Sequence, residues 1–137
     1  MNVFLDTNVF LYAFLNQDVA KKVVAASLVA QSVKERTGHV SMQVVKEFCN
    51  VMVKKSGKSS AEIGKAVALF GLFKMVAGSL HLVQRALQVR ETYNIQFYDS
   101  LLVASAEQAG CDVLYTEDLN DGQMYGIVKA VNPFKPQ

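Results

Sequence analysis

The chain has 137 residues, 51% of them hydrophobic, with a formal net charge of +2 and a sequence pI of about 8.5. That length suits one domain, here residues 1–137, and that apolar share builds a core without disulfides. The mild positive charge excludes a polycationic nucleic-acid coat. Cys49 and Cys111 are far apart and belong to no CxxC or Cys/His pattern, which argues against a zinc site and a disulfide framework. Val9–Leu15 is too short, and lacks the preceding basic region, for a secretory signal. Ala66–Gly78 is interrupted by Gly71 and Lys74 and is too short to span a bilayer. These features lead to the expectation of a reduced, cytoplasmic protein with no membrane partner.

Val3–Leu5 is a short apolar run that ends at Asp6 and reads as a buried strand. Asp6-Thr7-Asn8 offers caps for a helix over about Val9–Leu15, and Asp18 for a second helix running toward Arg36 and ended by Gly38. His39–Ser41 predicts a strand. Ser41 then caps a helix whose apolar positions Val44, Val45, Phe48, Val51 and Met52 follow helical spacing. Ser59 and Glu62 form a capping box for a helix over about Glu62–Ala77. Ser79–Val83 predicts a third strand that includes His81, followed by a helix over about Gln84–Tyr93. A further helix over Tyr98–Ala109 carries Asp99 in its first turn and stops at Gly110. Asp112–Tyr115 and Ile127–Val131 read as strands. The alternation of strands and helices predicts an α/β fold built around a mostly parallel sheet.

Four acids stand out by position. Asp6 follows one buried strand and Asp118 lies just beyond another, and open α/β sheets bind ligands outside the carboxyl ends of their strands. Asp99 opens a helix, and Glu47 sits between Val44, Val45 and Phe48, a placement that draws it toward a packed face. Taken singly, each has an ordinary structural reading: Asp6 and Asp99 as caps, Glu47 as a solvated helix residue, Asp118 as a turn former. As a set they could converge. Two such charges about 4 Å apart repel by about 4 kcal/mol at an effective dielectric near 20, so the group would need cations. Oxygen donors with no Cys or His nearby select Mg²⁺ or Mn²⁺ over zinc.

Phe4-Leu5-Asp6-Thr7-Asn8, the mid-helix Glu47, Tyr98-Asp99-Ser100 and Tyr115-Thr116-Glu117-Asp118-Leu119 resemble the PIN domain, and most of all the VapC-type toxins of toxin–antitoxin pairs. The resemblance runs from Asn2 to about Phe134. It implies a three-layer α/β/α fold and Mg²⁺- or Mn²⁺-dependent cleavage of RNA. It implies metal and catalytic roles for Asp6, Glu47, Asp99 and Asp118, with Asp121 as a further metal candidate. Asn8 and Thr116 would orient the carboxylates, and an antitoxin protein would be the partner.

Two other readings compete. In a phosphatase or phosphotransfer domain Asp6 would accept a phosphoryl group, but the second acid of an Asp-x-Asp motif is missing, as is a suitably placed lysine. In a non-catalytic interaction module the acids would bind metal for stability alone. His39 and His81 are isolated from any acid or serine partner, and Lys54, Lys55 and Lys58 read as a solvated turn. A helix over Glu62–Ala77 would be apolar on nearly all sides through Ile63, Val67, Phe70 and Phe73, which predicts a homodimer or an antitoxin-binding face.

Overall fold

A computed structural model describes residues 1–136. Six strands form one sheet: β1 (Val3–Leu5), β2 (Gly38–Ser41), β3 (Lys74–Val76), β4 (Val113–Tyr115), β5 (Met124–Tyr125) and β6 (Val128–Val131). Six α-helices join them: α1 (Thr7–Phe14), α2 (Val19–Lys34), α3 (Met42–Lys55), α4 (Ser60–Val67), α5 (Leu80–Tyr93) and α6 (Phe97–Gln108). A 3-10 helix over Ala68–Leu72 follows α4.

The sheet order is β3-β2-β1-β4-β6-β5, parallel throughout except for the β5–β6 pair. β1 is central and wholly buried, so its sequence is an unbroken apolar run instead of an alternating one. The chain builds outward from β1 through β2 to β3, then returns to place β4 on the other side of β1. This reversal opens a crevice at the carboxyl ends of β1 and β4. Leu5 lies level with Tyr115, so the residues that follow them, Asp6 and Thr116, emerge side by side. Helices α1, α2 and α3 pack together, while α5 packs along α6, which lies against β4 and β6. The result is the three-layer α/β/α arrangement around a mostly parallel sheet.

The caps at Asp6, Asp18, Ser41 and Ser59 form as the sequence indicates, the last as a complete capping box with Glu62. Three local expectations are corrected. The continuous helix over Glu62–Ala77 does not form. Instead α4 ends at Val67, and Phe70 and Phe73 turn into the core, where Phe10 packs on both at 4.7 and 5.3 Å and Phe48 meets Phe70 at 5.2 Å. Lys74–Val76 then becomes β3 and pairs with β2. Burial of the aromatic cluster and of a sheet edge outweighs helix propensity, which is a weak local preference. The apolar residues that pointed to a dimer face are therefore covered largely within one chain: Ile63, Phe70, Phe73 and Val76 are all buried.

The third strand also lies earlier than expected. Ser79 is the N-cap of α5, its hydroxyl accepting from the Leu82 amide at 3.0 Å. Leu82, Ala86 and Val89 form the buried stripe of this helix, and His81 is exposed on it. Gly38 belongs to β2 and does not end α2, which stops at Lys34. A Cβ at Gly38 would lie 2.5 Å from the Phe73 ring, so glycine here permits close aromatic packing.

Candidate active site

Asp6 leaves β1 in an extended conformation and caps α1. Its backbone amide donates to Tyr115 O at 3.1 Å, which fixes it to the end of β4. One carboxylate oxygen accepts from the Thr7 amide at 2.6 Å, the other from the Thr116 hydroxyl at 2.8 Å. Asp6 is 5% exposed and Thr116 is 1% exposed. The Thr116 oxygen also accepts from the Asp118 amide at 3.1 Å, so one hydroxyl links both acids.

Burial pushes the Asp6 carboxyl up to about 7. The Thr116 and Thr7 hydrogen bonds oppose that rise, and the nearby charges of Asp118 and Glu47 add to it. Asp99, half-buried in the first turn of α6, is likewise raised, first by burial and then by Asp118 and Glu47. Glu47 departs from its expected place on the packed face of α3. Val44, Phe48 and Met52 are the buried residues there, and Glu47 is exposed, accepting from the Gln43 amide group at 2.7 Å. Its charge still acts on both aspartates. Asp6, Glu47, Asp99 and Asp118 therefore share one electrostatic neighbourhood although they come from four distant segments.

The other sequence candidates lie around this group. Asp121 is exposed and accepts from the Asn132 amide at 2.8 Å, and it is not among the charges acting on Asp6 or Asp99. Asn8 is half-buried on the first turn of α1 and donates no hydrogen bond to Asp6, whose partners are Thr7 and Thr116. Among the described residues the ion pairs are Lys21–Glu117 and Arg85–Glu107, so no basic side chain neutralises the four acids directly. The buried His39 ring meets Thr37 O at 2.9 Å. Burial also pushes the Cys111 thiol up to about 12, which keeps it protonated and inert.

Sequence reasoning passed over Glu117. The Tyr12 hydroxyl donates to one of its oxygens at 2.7 Å, and Lys21 Nζ approaches the other at 2.8 Å. No local signal marked it: Glu117 sits in a bend after β4, and its partners lie on α1 and α2, about a hundred residues away.

Among the described residues, no three histidine, cysteine, aspartate or glutamate side chains are already gathered into an ion cage. The donor set nevertheless fits a hard divalent cation. It consists of carboxylates without a basic counter-ion, with imidazole and thiol absent from the hydrogen bonds around Asp6.

The sequence matches the PIN domain family over residues 3–123. The chain belongs to the PIN domain family. A search of curated protein sequences found no match. Several solved structures share the fold of this PIN domain. VapC20 of Mycobacterium tuberculosis, a Sarcin-Ricin loop cleaving toxin, is 18% identical with a TM-score of 0.68, over 85% of this chain and 90% of that one. A toxin–antitoxin complex from Klebsiella pneumoniae contains a chain 20% identical with a TM-score of 0.65, over 96% and 98%. VapBC2 from Rickettsia felis, bound to a DNA fragment from its promoter, contains one 17% identical with a TM-score of 0.66, over 96% and 100%. No helix of the PIN domain is long and apolar enough, among the described residues, to cross a membrane.

Proposed function

We propose that this PIN domain is a Mg²⁺- or Mn²⁺-dependent endoribonuclease and the toxin of a toxin–antitoxin pair. The observation that carries the reading is the Asp6 carboxyl: buried at the sheet's switch point and raised to about 7 beside the charges of Asp118 and Glu47. Such a group is poised for a cation or a proton at neutral pH. Asp6, Glu47, Asp99 and Asp118 hold the ion, with Asp121 as an outlying candidate. When bound, the ion neutralises charge on the phosphodiester and acidifies a water for attack. Thr116 holds Asp6 and the Asp118 backbone in one orientation, and Asn8, half-buried on the first turn of α1, is the second orienting candidate.

The phosphotransfer alternative lacks support. Lys21 is committed to Glu117, and among the described residues no lysine pairs with Asp6. The reading includes a cytoplasmic location, an antitoxin protein as partner and a homodimer. The antitoxin is supported by the complexes in which similar folds occur. The dimer is supported by Leu80, Val83 and Leu87, an exposed apolar line on α5 at helical spacing. The deciding experiment incubates purified protein with structured RNA in Mg²⁺, in Mn²⁺ and in EDTA. Metal-dependent cleavage that disappears in Asp6→Ala supports the reading, and cleavage that persists in EDTA overturns it.

A further inference from the structure

Glu117 stands between two residues of the site yet is turned away from it. Thr116 donates inward to Asp6, and the Asp118 charge acts on Asp6 and Asp99. Glu117 instead meets Tyr12 on α1 and Lys21 on α2, and Lys21 also donates to the Tyr12 hydroxyl at 3.3 Å. Lys21 Nζ lies 4.8 Å from the Tyr12 ring centre and 5.4 Å from that of Phe134, and the two rings meet edge to face at 5.0 Å. Two helices thus close on a single carboxylate, and Phe134 packs against the side chains that hold it. The Glu117 side chain is 18% exposed and that of Lys21 is 32% exposed, so the group is only partly open to solvent.

We infer that Lys21, Tyr12 and Glu117 form a clamp that positions Asp118, and so sets the ion affinity of the site without touching the ion. This inference rests on the metal-dependent reading above. The reasoning is geometric. Among the described hydrogen bonds, the stretch Glu117–Leu119 has one backbone tether, the bond from the Asp118 amide to Thr116 Oγ1. Unclamped, Glu117 would carry a fifth negative charge free to swing toward the four acids, and the Asp118 backbone would lose its outer anchor. Lys21 and Tyr12 prevent both by holding the two oxygens of the Glu117 carboxylate against α2 and α1. Tyr12 couples the clamp to α1, the helix that Asp6 caps. Disturbing groups that orient ion ligands typically lowers metal affinity by about 10- to 100-fold.

The test uses full-length wild type, Lys21→Met, Glu117→Gln, Tyr12→Phe and the charge-preserving Lys21→Arg. Mn²⁺ binding is read by calorimetry, and amide hydrogen exchange at Asp118 is read in the metal-free protein. The clamp requires Lys21→Met and Glu117→Gln each to weaken Mn²⁺ binding by about tenfold and to speed exchange at Asp118. The double variant should be no worse than either single, because the residues act as one unit. Lys21→Arg should stay near wild type, and Tyr12→Phe, which keeps the ring packing, should fall between. Unchanged Mn²⁺ affinity and exchange in the variants would overturn the clamp while leaving the ribonuclease reading intact. Tighter Mn²⁺ binding by Lys21→Met would also overturn it, since Glu117 would then be an ion-binding group held in reserve. Wild-type protein that binds no Mn²⁺ would overturn the metal-dependent reading and the clamp's role with it.

Discussion

The Thr116 hydroxyl donates to Asp6 Oδ2 at 2.8 Å across a sequence separation of 110 residues, joining the ends of β1 and β4 at the point where the sheet reverses its order. Because the same oxygen accepts from the Asp118 amide, its loss reaches two of the four acids. Thr116→Val keeps the shape and removes the donor. It should cost about 1–3 kcal/mol of stability in urea denaturation, the usual consequence of an unpaired buried polar group. The Thr116 bond lowers the Asp6 pKa, so the variant's pH–activity profile should shift to higher pH. An unshifted profile would show that the bond does not tune Asp6.

The pH dependence of stability follows from Asp6 in the chelated protein. Its carboxyl titrates at about 7 when folded against a reference of 3.8. Between those values the folded chain binds more protons than the unfolded chain, so stability falls as pH rises and levels off above about 7. Asp99 is shifted in the same direction and adds to the slope. Asp6→Asn should flatten the curve of urea midpoint against pH. A midpoint that rises from pH 5 to pH 7 would contradict the raised Asp6.

Divalent ions should stabilise the folded state by mass action. At about 100 times the dissociation constant the gain is about 2.7 kcal/mol, easily seen as a higher Tm. Asp99→Asn removes one of the mutually repelling charges, so it should raise the Tm of the metal-free protein and blunt the response to Mn²⁺. Melting curves identical in EDTA and in Mn²⁺ would count against ion binding at this site.

Cleavage by water should leave a 5′-phosphate and a 3′-hydroxyl, whereas attack by the RNA 2′-hydroxyl leaves a cyclic phosphate. His39 is buried against Thr37 and His81 is exposed on α5, so neither stands beside Asp6. Replacing both should leave activity within a few-fold, judged by end-labelled product mapping. Asp6→Ala should abolish cleavage while RNA binding persists and weakens with salt. Products ending in a 2′,3′-cyclic phosphate would refute this chemistry.

The Gly38–Phe73 contact offers a test of the fold apart from the site. A methyl group at Gly38 would press on the Phe73 ring at 2.5 and 2.6 Å, and that ring is itself packed against Phe10. Gly38→Ala should destabilise by about 1–3 kcal/mol through overpacking. Phe73→Ala, which opens a cavity, should cost about 3–5 kcal/mol. Wild-type stability in both would show that Phe73 does not sit beneath β2.

Much of this was written locally in the chain. The caps at Asp6, Asp18, Ser41 and Ser59 bond to amides within the next three residues, and the buried strand Val3–Leu5 shows as an apolar run, so both can be read without a fold. The four acids could likewise be marked as a set by their places after strands and on helices. What the sequence could not determine was decided by contacts between distant segments. Phe70 and Phe73 stop α4 because Phe10 and Phe48 accept them in the core, and β3 forms because β2 presents a free edge to it. Glu47 faces solvent because Phe48 and Val44 take the packed side of α3. Glu117 and Asp118 are neighbours of the same charge, and only Lys21 and Tyr12, about a hundred residues away in the chain, separate their roles. Local hydrogen bonding and periodicity depend on residues a few positions apart, whereas the direction of a charged side chain depends on which counter-charge the fold brings to it.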